Sequence, residues 1–272
     1  MSDSALKIGD TSAVTFTFSE EPTEFTADDV TVANGTLSNF TVTADSKIYT
    51  ANYTPTADVK DATNAISVGT GWTDLAGNAP TASTDSSNYA VDTLRPTVSI
   101  AMSDSALKIG DTSAVTFTFF EEPTGFTADD VTVANGTLSD FTVTADAKIY
   151  TANYTPTADV EDATNAISVG TDWTDAAENA PAASTDSSNY AIDTFAPVLS
   201  SIVLSDMALK AGETTLVTFT FNEEVADFTT DDVTVANGTI SNLVATSDAK
   251  VYTATYTPTA DVDDATNVIS VA

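Results

Sequence analysis

The chain has 272 residues and carries 40 acidic side chains against 8 basic ones, a formal net charge of −32. Such acidity argues against nucleic acid as a partner, while a hydrophobic fraction of 42% predicts folded cores rather than disorder. The absence of cysteine and histidine excludes disulfides, thiolate metal sites and histidine-based hydrolytic triads. No apolar run suits a membrane span and no signal-peptide pattern opens the chain, so we expect no direct membrane insertion and an export signal and anchor outside these residues.

In chain order, β-strand patterns dominate the first hundred or so residues. Val14, Phe16 and Phe18 alternate with threonines, which is the period-2 pattern of a half-buried strand. Further strands bounded by Gly, Pro, Asn or Asp are predicted at 29–33, 37–43, 48–54, 65–69, 88–91 and 96–102. A single helical turn is expected in the acidic stretch 57–62. About seven short strands in about a hundred residues are typical of an immunoglobulin-like (Ig-like) sandwich.

The same pattern is then repeated along the chain. Aligning 1–93 with 102–194 leaves about ten differences over about ninety positions, and a looser copy begins near 205. We therefore predict an all-β fold of tandem Ig-like β-sandwich domains in an elongated array, with domains at 1–93, 94–194 and 195–272. The first copy lacks its first strand and the third stops before its last strands, so we expect a fragment of a longer array.

The connections between repeats predict two kinds of partner. The linkers are predicted at 91–96 and 192–197, where Pro96 and Pro197 end one repeat and start the next in a short, extended connection, so neighbouring repeats of the same chain should stack on one another. The incomplete end domains leave open sheet edges, which favours edge-strand pairing with another chain.

Acidic loops from successive repeats are predicted to meet at the junctions. If the strands alternate in direction, the loops near 121–124 and 175–179 lie at the end of the second repeat that faces the first. Two carboxylates ~4 Å apart repel by about 4 kcal/mol at an effective dielectric constant of ~20, and clusters of oxygen ligands select Ca²⁺. The predicted calcium ligands at the first junction are Asp92, Glu121, Glu122, Asp175 and Asn179, with Asp58 or Asp61 from the first repeat. At the second junction they are Asp193, Glu223 and Glu224, with Asp159 or Asp162.

Each of these features also has a plainer explanation. The acidic loops could be solvated charge that keeps the protein soluble, with no bound ion. The Asn-Gly-Thr triplets that begin at Asn34, Asn135 and Asn237 match a glycosylation acceptor, but a tight turn is favoured. Trp72 and Trp173 are favoured as core residues over carbohydrate-stacking platforms.

Five motifs of the second repeat occur together in one known family. They are Leu107-Lys-x-Gly-Asp111, Val115-Thr-Phe-Thr-Phe119, Phe126-Thr-x-x-Asp-Val131, Tyr150-Thr-Ala-x-Tyr-Thr-Pro156 and Tyr190-x-Ile-Asp-Thr194. The combination resembles the bacterial Ig-like tandem repeats of giant surface adhesins, which form the extender domains of RTX-type and biofilm-associated adhesins. The resemblance implies an extracellular location on the bacterial cell surface and a stalk, rigidified by Ca²⁺ between domains, that presents a distal adhesive tip.

The resemblance also implies a role for one loop. Asp74 and Asn78 match the family's Asp-x-Ala-Gly-Asn loop and so inherit a calcium role. The second copy has Glu178 in place of the glycine, so that either Glu178 is strained or the loop has shifted.

The leading functional prediction is a non-enzymatic extender of an adhesin. The alternative is a binding module in which one of the repeats itself contacts a glycan, a surface or ice. Adjacent acids such as Asp28 and Asp29 could serve a glycosidase. However, neighbouring residues of a strand point to opposite faces, so we expect no enzyme and no small-molecule substrate.

Overall fold

The computed structural model describes residues 1–272 and divides into two compact units, 1–194 and 195–272. The first unit holds the first and second repeats, and the second unit holds the third. The only helical segments are 3₁₀ turns at Ala27–Asp29, Ala128–Asp130 and Thr230–Asp232. No helix in the structure has the length and apolar character needed to span a membrane.

The three repeats share one order of strands. The first has β1 (Ala5–Leu6), β2 (Ser12–Thr17), β3 (Val30–Val32), β4 (Gly35–Val42), β5 (Ile48–Pro55), β6 (Lys60–Asn64), β7 (Ile66–Val68), β8 (Thr84–Asp85) and β9 (Tyr89–Asp92). The second has β10 (Val98–Met102), β11 (Ala106–Lys108), β12 (Ser113–Phe119), β13 (Val131–Val133), β14 (Gly136–Val143), β15 (Ile149–Pro156), β16 (Glu161–Asn165), β17 (Ile167–Val169), β18 (Thr185–Asp186) and β19 (Tyr190–Asp193). The third has β20 (Leu199–Leu204), β21 (Thr215–Phe221), β22 (Val233–Val235), β23 (Gly238–Ala245), β24 (Val251–Pro258) and β25 (Ile269–Val271).

The second repeat is the most complete sandwich. One sheet has the order β10-β12-β15-β14, and the other side is formed by β13-β17-β18 and β11-β19-β16. In the last of these groups β19 is central, since it pairs parallel with β11 and antiparallel with β16. All seven predicted strand regions are found, and the additional strands β1, β6 and β8 of the first repeat were missed because they are short and polar or too brief to show a period.

Alternating sequence produces the core. Val115, Phe117 and Phe119 of β12 are at most 3% exposed, while the residues between them face outward or lie at the border. Phe126 packs edge-on against Phe119, with ring centroids 4.7 Å apart. Trp173 is 1% exposed and lies 4.8 Å from the Phe119 ring, so the prediction that it is a core residue is confirmed.

The Asn-Gly pairs lie at bends between strands of different sheets and not in tight hairpin turns, because Gly35 and Gly136 already begin β4 and β14. Asn135 has a φ of 49°, the left-handed conformation that asparagine tolerates. A Cβ atom on the next residue, Gly136, would lie 2.3 Å from the Tyr154 ring, so only glycine fits there. The side-chain amide nitrogen of Asn135 donates hydrogen bonds to Asp162 at 2.9 Å and to Asn165 at 2.7 Å. This nitrogen, the atom that a glycan would modify, therefore holds parts of the same repeat together.

Two acidic segments of the first repeat differ from their predicted local structure or role. The helical turn expected in 57–62 is wrong, because β6 begins at Lys60 and its backbone pairs with β9. The acid pair Asp28 and Asp29 instead closes a 3₁₀ turn, where the Asp29 carboxylate accepts a hydrogen bond from the Thr26 amide at 2.9 Å. Asp28 is exposed.

The third repeat departs from the second at one place. Within 195–272 the chain has no counterpart of β18 and β19. Residues 208–210 and 263–267, the counterparts of β11 and β16, are not strands. In the second repeat the corresponding strands β11 and β16 both pair with β19, and residues 195–272 do not include a counterpart of β19.

Candidate functional site: the junction of the first and second repeats

The linker between the first and second repeats is anchored to the first. Thr93 is 3% exposed, and its hydroxyl donates to the Thr56 carbonyl at 2.7 Å. The same hydroxyl accepts from the amide of Val59 at 3.0 Å. These bonds fix the end of β9 beside the loop that leads into β6, and so fix the position of Asp92.

A loop of the second repeat lies against this linker. Asp175 is fully buried and Asn179 is 2% exposed. The Asp175 carboxylate accepts from the Asn179 amide at 2.8 Å and from its side chain at 2.9 Å, which closes the loop. Asn179 also donates to the Asp92 carbonyl at 2.8 Å and accepts from the Ile8 amide at 2.9 Å. One asparagine therefore ties the second repeat to two segments of the first.

The first repeat has the same loop in an open setting. Asp74 accepts hydrogen bonds from the side chain and backbone of Asn78, and these bonds hold the pKa of Asp74 below its ordinary value. Asn78 is exposed. Comparison of the two copies indicates that the loop closes by its own hydrogen bonds, and that burial in the second copy comes from contact with the first repeat.

Glu178 keeps the backbone conformation of the glycine it replaces. Gly77 has a φ of 85° and Glu178 a φ of 68°, so the loop has not shifted and the glutamate is strained. Its side chain forms an ion pair with Lys7 of the first repeat at 2.5 Å. The hydrogen bond from Lys7 lowers the pKa of Glu178 and raises that of Lys7. The strained residue thus adds a contact between repeats.

Three carboxylates meet beside the linker. Ligand atoms of Asp92, Glu121 and Asp175 all lie within 4.8 Å of one another. The Oε1 atom of Glu121 is buried and has no hydrogen-bond partner. A buried carboxylate oxygen without a partner is costly, and Glu121 lies beside two other acids, so the cluster favours a bound cation.

Lys60 already supplies one positive charge to this cluster. Its ammonium lies 2.7 Å from Asp92 Oδ2 and also forms an ion pair with Glu121. Partial burial lowers the pKa of Lys60, but its bonds to Asp92 and Glu121 outweigh this and raise the pKa to about 12. One ammonium against three carboxylates leaves two negative charges uncompensated.

The donor set fits a hard divalent cation. Asp92, Glu121 and Asp175 offer only oxygen atoms, the type of ligand that Ca²⁺ prefers. Asp175 retains accepting capacity, since each carboxylate oxygen has a second lone pair. Lys60 competes for the same oxygens, so an ion would have to share Asp92 and Glu121 with the ammonium or displace it.

Comparison with known protein families matches a bacterial Ig-like domain three times, at residues 1–91, 92–192 and 193–272. The chain belongs to the bacterial Ig-like domain family. Its all-β architecture and tandem organisation, predicted from the alternating strands and the repeat, are thereby confirmed. A comparison with curated protein sequences finds no match.

Two solved structures resemble these Ig-like repeats at low identity. FdeC, described as a broadly conserved Escherichia coli adhesin that elicits protection against urinary tract infections, is 14% identical, with 94% of this chain and 85% of that chain covered and a TM-score of 0.38. The I9–I11 tandem of titin is 8% identical, with coverages of 94% and 86% and a TM-score of 0.28. Both scores are too low to bear on the function of this chain.

The structure brings some predicted ligands together and leaves others apart. Asp92, Glu121, Asp175 and Asn179 meet at the junction of the first two Ig-like repeats. Glu122 and Asp58 are exposed and outside the cluster. Asp61 bonds within its own repeat, where the backbone of Thr63 holds the pKa of Asp61 below its ordinary value.

The other predicted ligands lie elsewhere in the repeats. Asp74 and Asn78 bond to each other in the first repeat. Asp193 ends β19 in the first unit and is exposed, while Glu223 and Glu224 follow β21 in the second unit. A calcium site formed by these last three residues stays a prediction.

Sequence reasoning missed the two lysines of the junction. Lys60 stands where the second repeat has Glu161 and the third has Asp263. A reversal of charge at one position, between copies that otherwise differ little, was a detectable signal. Lys7 gave no such signal, because the other repeats also have lysine there.

Proposed function

We propose that this chain is a structural extender segment of a bacterial cell-surface adhesin, located outside the cell, whose repeat junctions are stiffened by Ca²⁺. The single observation that carries the proposal is the cluster of three carboxylates at the junction of the first and second repeats. Groups of both repeats enclose Asp92, Glu121 and Asp175 there, and one carboxylate oxygen is buried without a partner. Membership of the bacterial Ig-like family and the threefold repeat support a structural role.

The mechanical role follows from how the junction is held. Asn179 bonds the linker and the first repeat at once, and Lys7 and Lys60 each reach an acid of the second repeat. Arg95 of the linker adds a hydrogen bond to the Ala180 carbonyl at 3.0 Å. Exposed ion pairs are individually weak, about 0–1 kcal/mol each, but contacts distributed around one linker oppose bending in several directions.

Asp92, Glu121 and Asp175 would hold the calcium ion. When bound, it would neutralise carboxylates that come from the linker and the second repeat. An extracellular site with a dissociation constant near 10⁻⁴ to 10⁻³ M gains only ~1.4 kcal/mol from a tenfold excess of calcium. That is enough to restrict a linker, and it is too little to decide whether a repeat folds.

Calcium titration of the full chain tests the site. We expect saturable Ca²⁺ binding by calorimetry, slower hydrogen exchange at the Ile8 amide with calcium than with chelator, and weaker binding of Mg²⁺. Glu121→Gln should weaken one binding event about tenfold by removing a ligand charge. The matched control is Glu20→Gln, the same position in the first repeat, where the side chain is exposed.

Two results would count against the proposal in different ways. If the wild-type chain binds no calcium, or if both glutamine variants bind it as the wild type does, the ion has no role at this junction. If small-angle scattering is the same with calcium and with chelator although calcium binds, the ion does not set stiffness.

A binding role is the second candidate, and one side chain favours it. Phe120 is 63% exposed and stands where the first repeat has Ser19. An exposed aromatic ring can stack on a sugar or on another apolar surface. Glycan-array and ice-affinity retention that is lost in Phe120→Ser would favour this role over a simple spacer.

A further inference from the structure

The outer face of one sheet in the third repeat carries no charge. This sheet has the order β20-β21-β24-β23, and the same four strands form the corresponding sheet of the second repeat. Its outward-facing residues, which alternate with core residues, are Ser201, Val203, Leu216, Thr218, Thr220, Val251, Thr253, Thr255, Thr257, Thr239, Ser241 and Val244. A chain in which 18% of residues are charged thus keeps one broad surface neutral.

Three aliphatic side chains of this face are open to solvent. Val203 is 56% exposed, Leu216 50% and Val244 58%. The second repeat has alanine, alanine and threonine at the same positions. The bulge of its edge strand has Asp140, which is replaced by Asn242 in the third repeat. The third repeat therefore has a more apolar and less charged face than the second.

The row of residues that crosses this face reads the same from both ends. Val203 pairs with Thr218, Thr218 with Thr253, and Thr253 with Val244. A second copy, related by a twofold axis that lies between the copies and runs along the strands, would place Val203 against Val244 and threonine against threonine. The corresponding row of the second repeat begins with alanine and ends with threonine, so it lacks this symmetry.

Charge restricts the partner of this face. Each chain has a net charge of −32, so two copies repel wherever their acidic surfaces approach, and they repel least across a surface without charge. The net charge also disfavours an anionic partner, and a cationic partner would find no acid on this face. An uncharged surface remains, and the symmetric row fits a second copy of the same face.

The size of the face predicts weak association. Four strands about 4.8 Å apart, with about six residues at ~3.3 Å each, give roughly 400 Å² per copy. Two such faces bury about 800 Å² in total, which is below the ~1,200 Å² of a standard stable interface. Contacts of this size are typical of reversible complexes, so a dimer would have a dissociation constant of the order of 0.1–1 mM.

We propose that the outer face of β20-β21-β24-β23 docks on the same face of a second copy of this chain, so that two chains associate through their third repeats. The two sheets pack face to face, with Val203, Leu216 and Val244 in the contact. The proposal involves neither calcium nor the junction of the first and second repeats, so the two proposals are tested separately.

Sedimentation equilibrium of the full chain, at concentrations up to about 1 mM and with chelator present, tests the association. We expect a monomer–dimer equilibrium in about 0.5 M sodium chloride. Association should be severalfold weaker in about 0.05 M salt, because the acidic surfaces outside the contact are then less screened. An association held by ion pairs would respond to salt in the opposite direction.

A triple variant tests the role of the aliphatic side chains. Val203→Ala, Leu216→Ala and Val244→Thr together give the face the residues of the second repeat, which forms the same sheet with them. Dimerisation should weaken at least about tenfold through loss of buried apolar area. The control is Ile109→Ala, which removes a 59% exposed aliphatic side chain from a turn of the second repeat and should leave the equilibrium unchanged.

A single introduced cysteine locates the contact, because the chain has no cysteine of its own. Thr218→Cys lies in the centre of the row, and its matched control is Thr116→Cys at the same position of the second repeat. With a short bis-maleimide crosslinker, Thr218→Cys should form covalent dimers at least about fivefold faster, because a residue near a twofold axis lies close to its own copy.

Three results would each overturn the proposal. They are a wild-type chain that stays monomeric at the highest concentration in high salt, a triple variant that dimerises as the wild type does, and equal crosslinking of the two cysteine variants. The cysteine variants keep all three aliphatic residues, so a folding defect in the triple variant leaves the test decisive.

Discussion

At the scale of single residues, each repeat is organised around a tyrosine hydroxyl and a glycine. Tyr154 donates to the Ala134 carbonyl at 2.7 Å, and burial raises the pKa of this tyrosine well above its ordinary value. The ring leaves no room for a side chain on Gly136. The same relation joins Tyr53 to Gly35 and Tyr256 to Gly238.

Substitution of this glycine is the prediction at this scale. Gly136→Ala should destabilise the second repeat by about 1–3 kcal/mol, since the new Cβ would force the Tyr154 ring or the turn to move. Hydrogen exchange of β14 and β15 in the full chain measures the effect. The matched control is Gly170→Ala, where the nearest atom lies 3.6 Å from the new Cβ. Equal effects of the two variants would show that the ring contact is unimportant.

At the scale of elements, the first junction depends on short loops at the ends of strands. Asp92 ends β9, Lys60 begins β6, and Asp175 and Glu178 lie between β17 and β18. Each loop is fixed within its own repeat before it meets the other, as the Asp74 loop demonstrates in the open copy. Loops that are ordered beforehand lose little entropy when they dock.

Lys60 provides the prediction for this scale. Lys60→Met removes a positive charge from beside Asp92 and Glu121, so calcium affinity at the junction should rise about five- to tenfold. Without calcium, the same variant should speed hydrogen exchange at the Ile8 amide, because the acids lose their only lysine partner. Lys47→Met serves as control, since Lys47 bonds the Ser19 carbonyl away from the cluster. Unchanged calcium affinity would mean that the ammonium and the ion do not compete.

At the scale of the whole molecule, charge is the dominant feature. A net charge of −32 on 272 residues creates self-repulsion that opposes compact structure. Salt screens this repulsion, because the Debye length falls from about 30 Å at 0.01 M to about 8 Å at 0.15 M.

The corresponding prediction concerns monovalent salt. Raising sodium chloride from 0.01 to 0.3 M at neutral pH, with chelator present, should raise the melting temperatures of the full chain by several degrees. Differential scanning calorimetry measures this, and the chelator separates screening from calcium binding. A melting temperature that falls with salt would indicate that the few ion pairs, such as Lys7 with Glu178, outweigh the repulsion.

The sequence by itself determined the β-sandwich and its repetition. Alternation along segments such as Val115 to Phe119 is a local property, because side chains two residues apart on a strand share a face, and the near-identity of the copies repeats it. The alternating directions of successive strands also placed Glu121 and Asp175 at the end of the second repeat that faces the first. The tertiary structure alone decided that Lys60 enters this cluster and that Asp61 bonds within its own repeat. These are contacts between distant parts of the chain, and they depend on the angles at which loops leave their strands, which no local periodicity specifies.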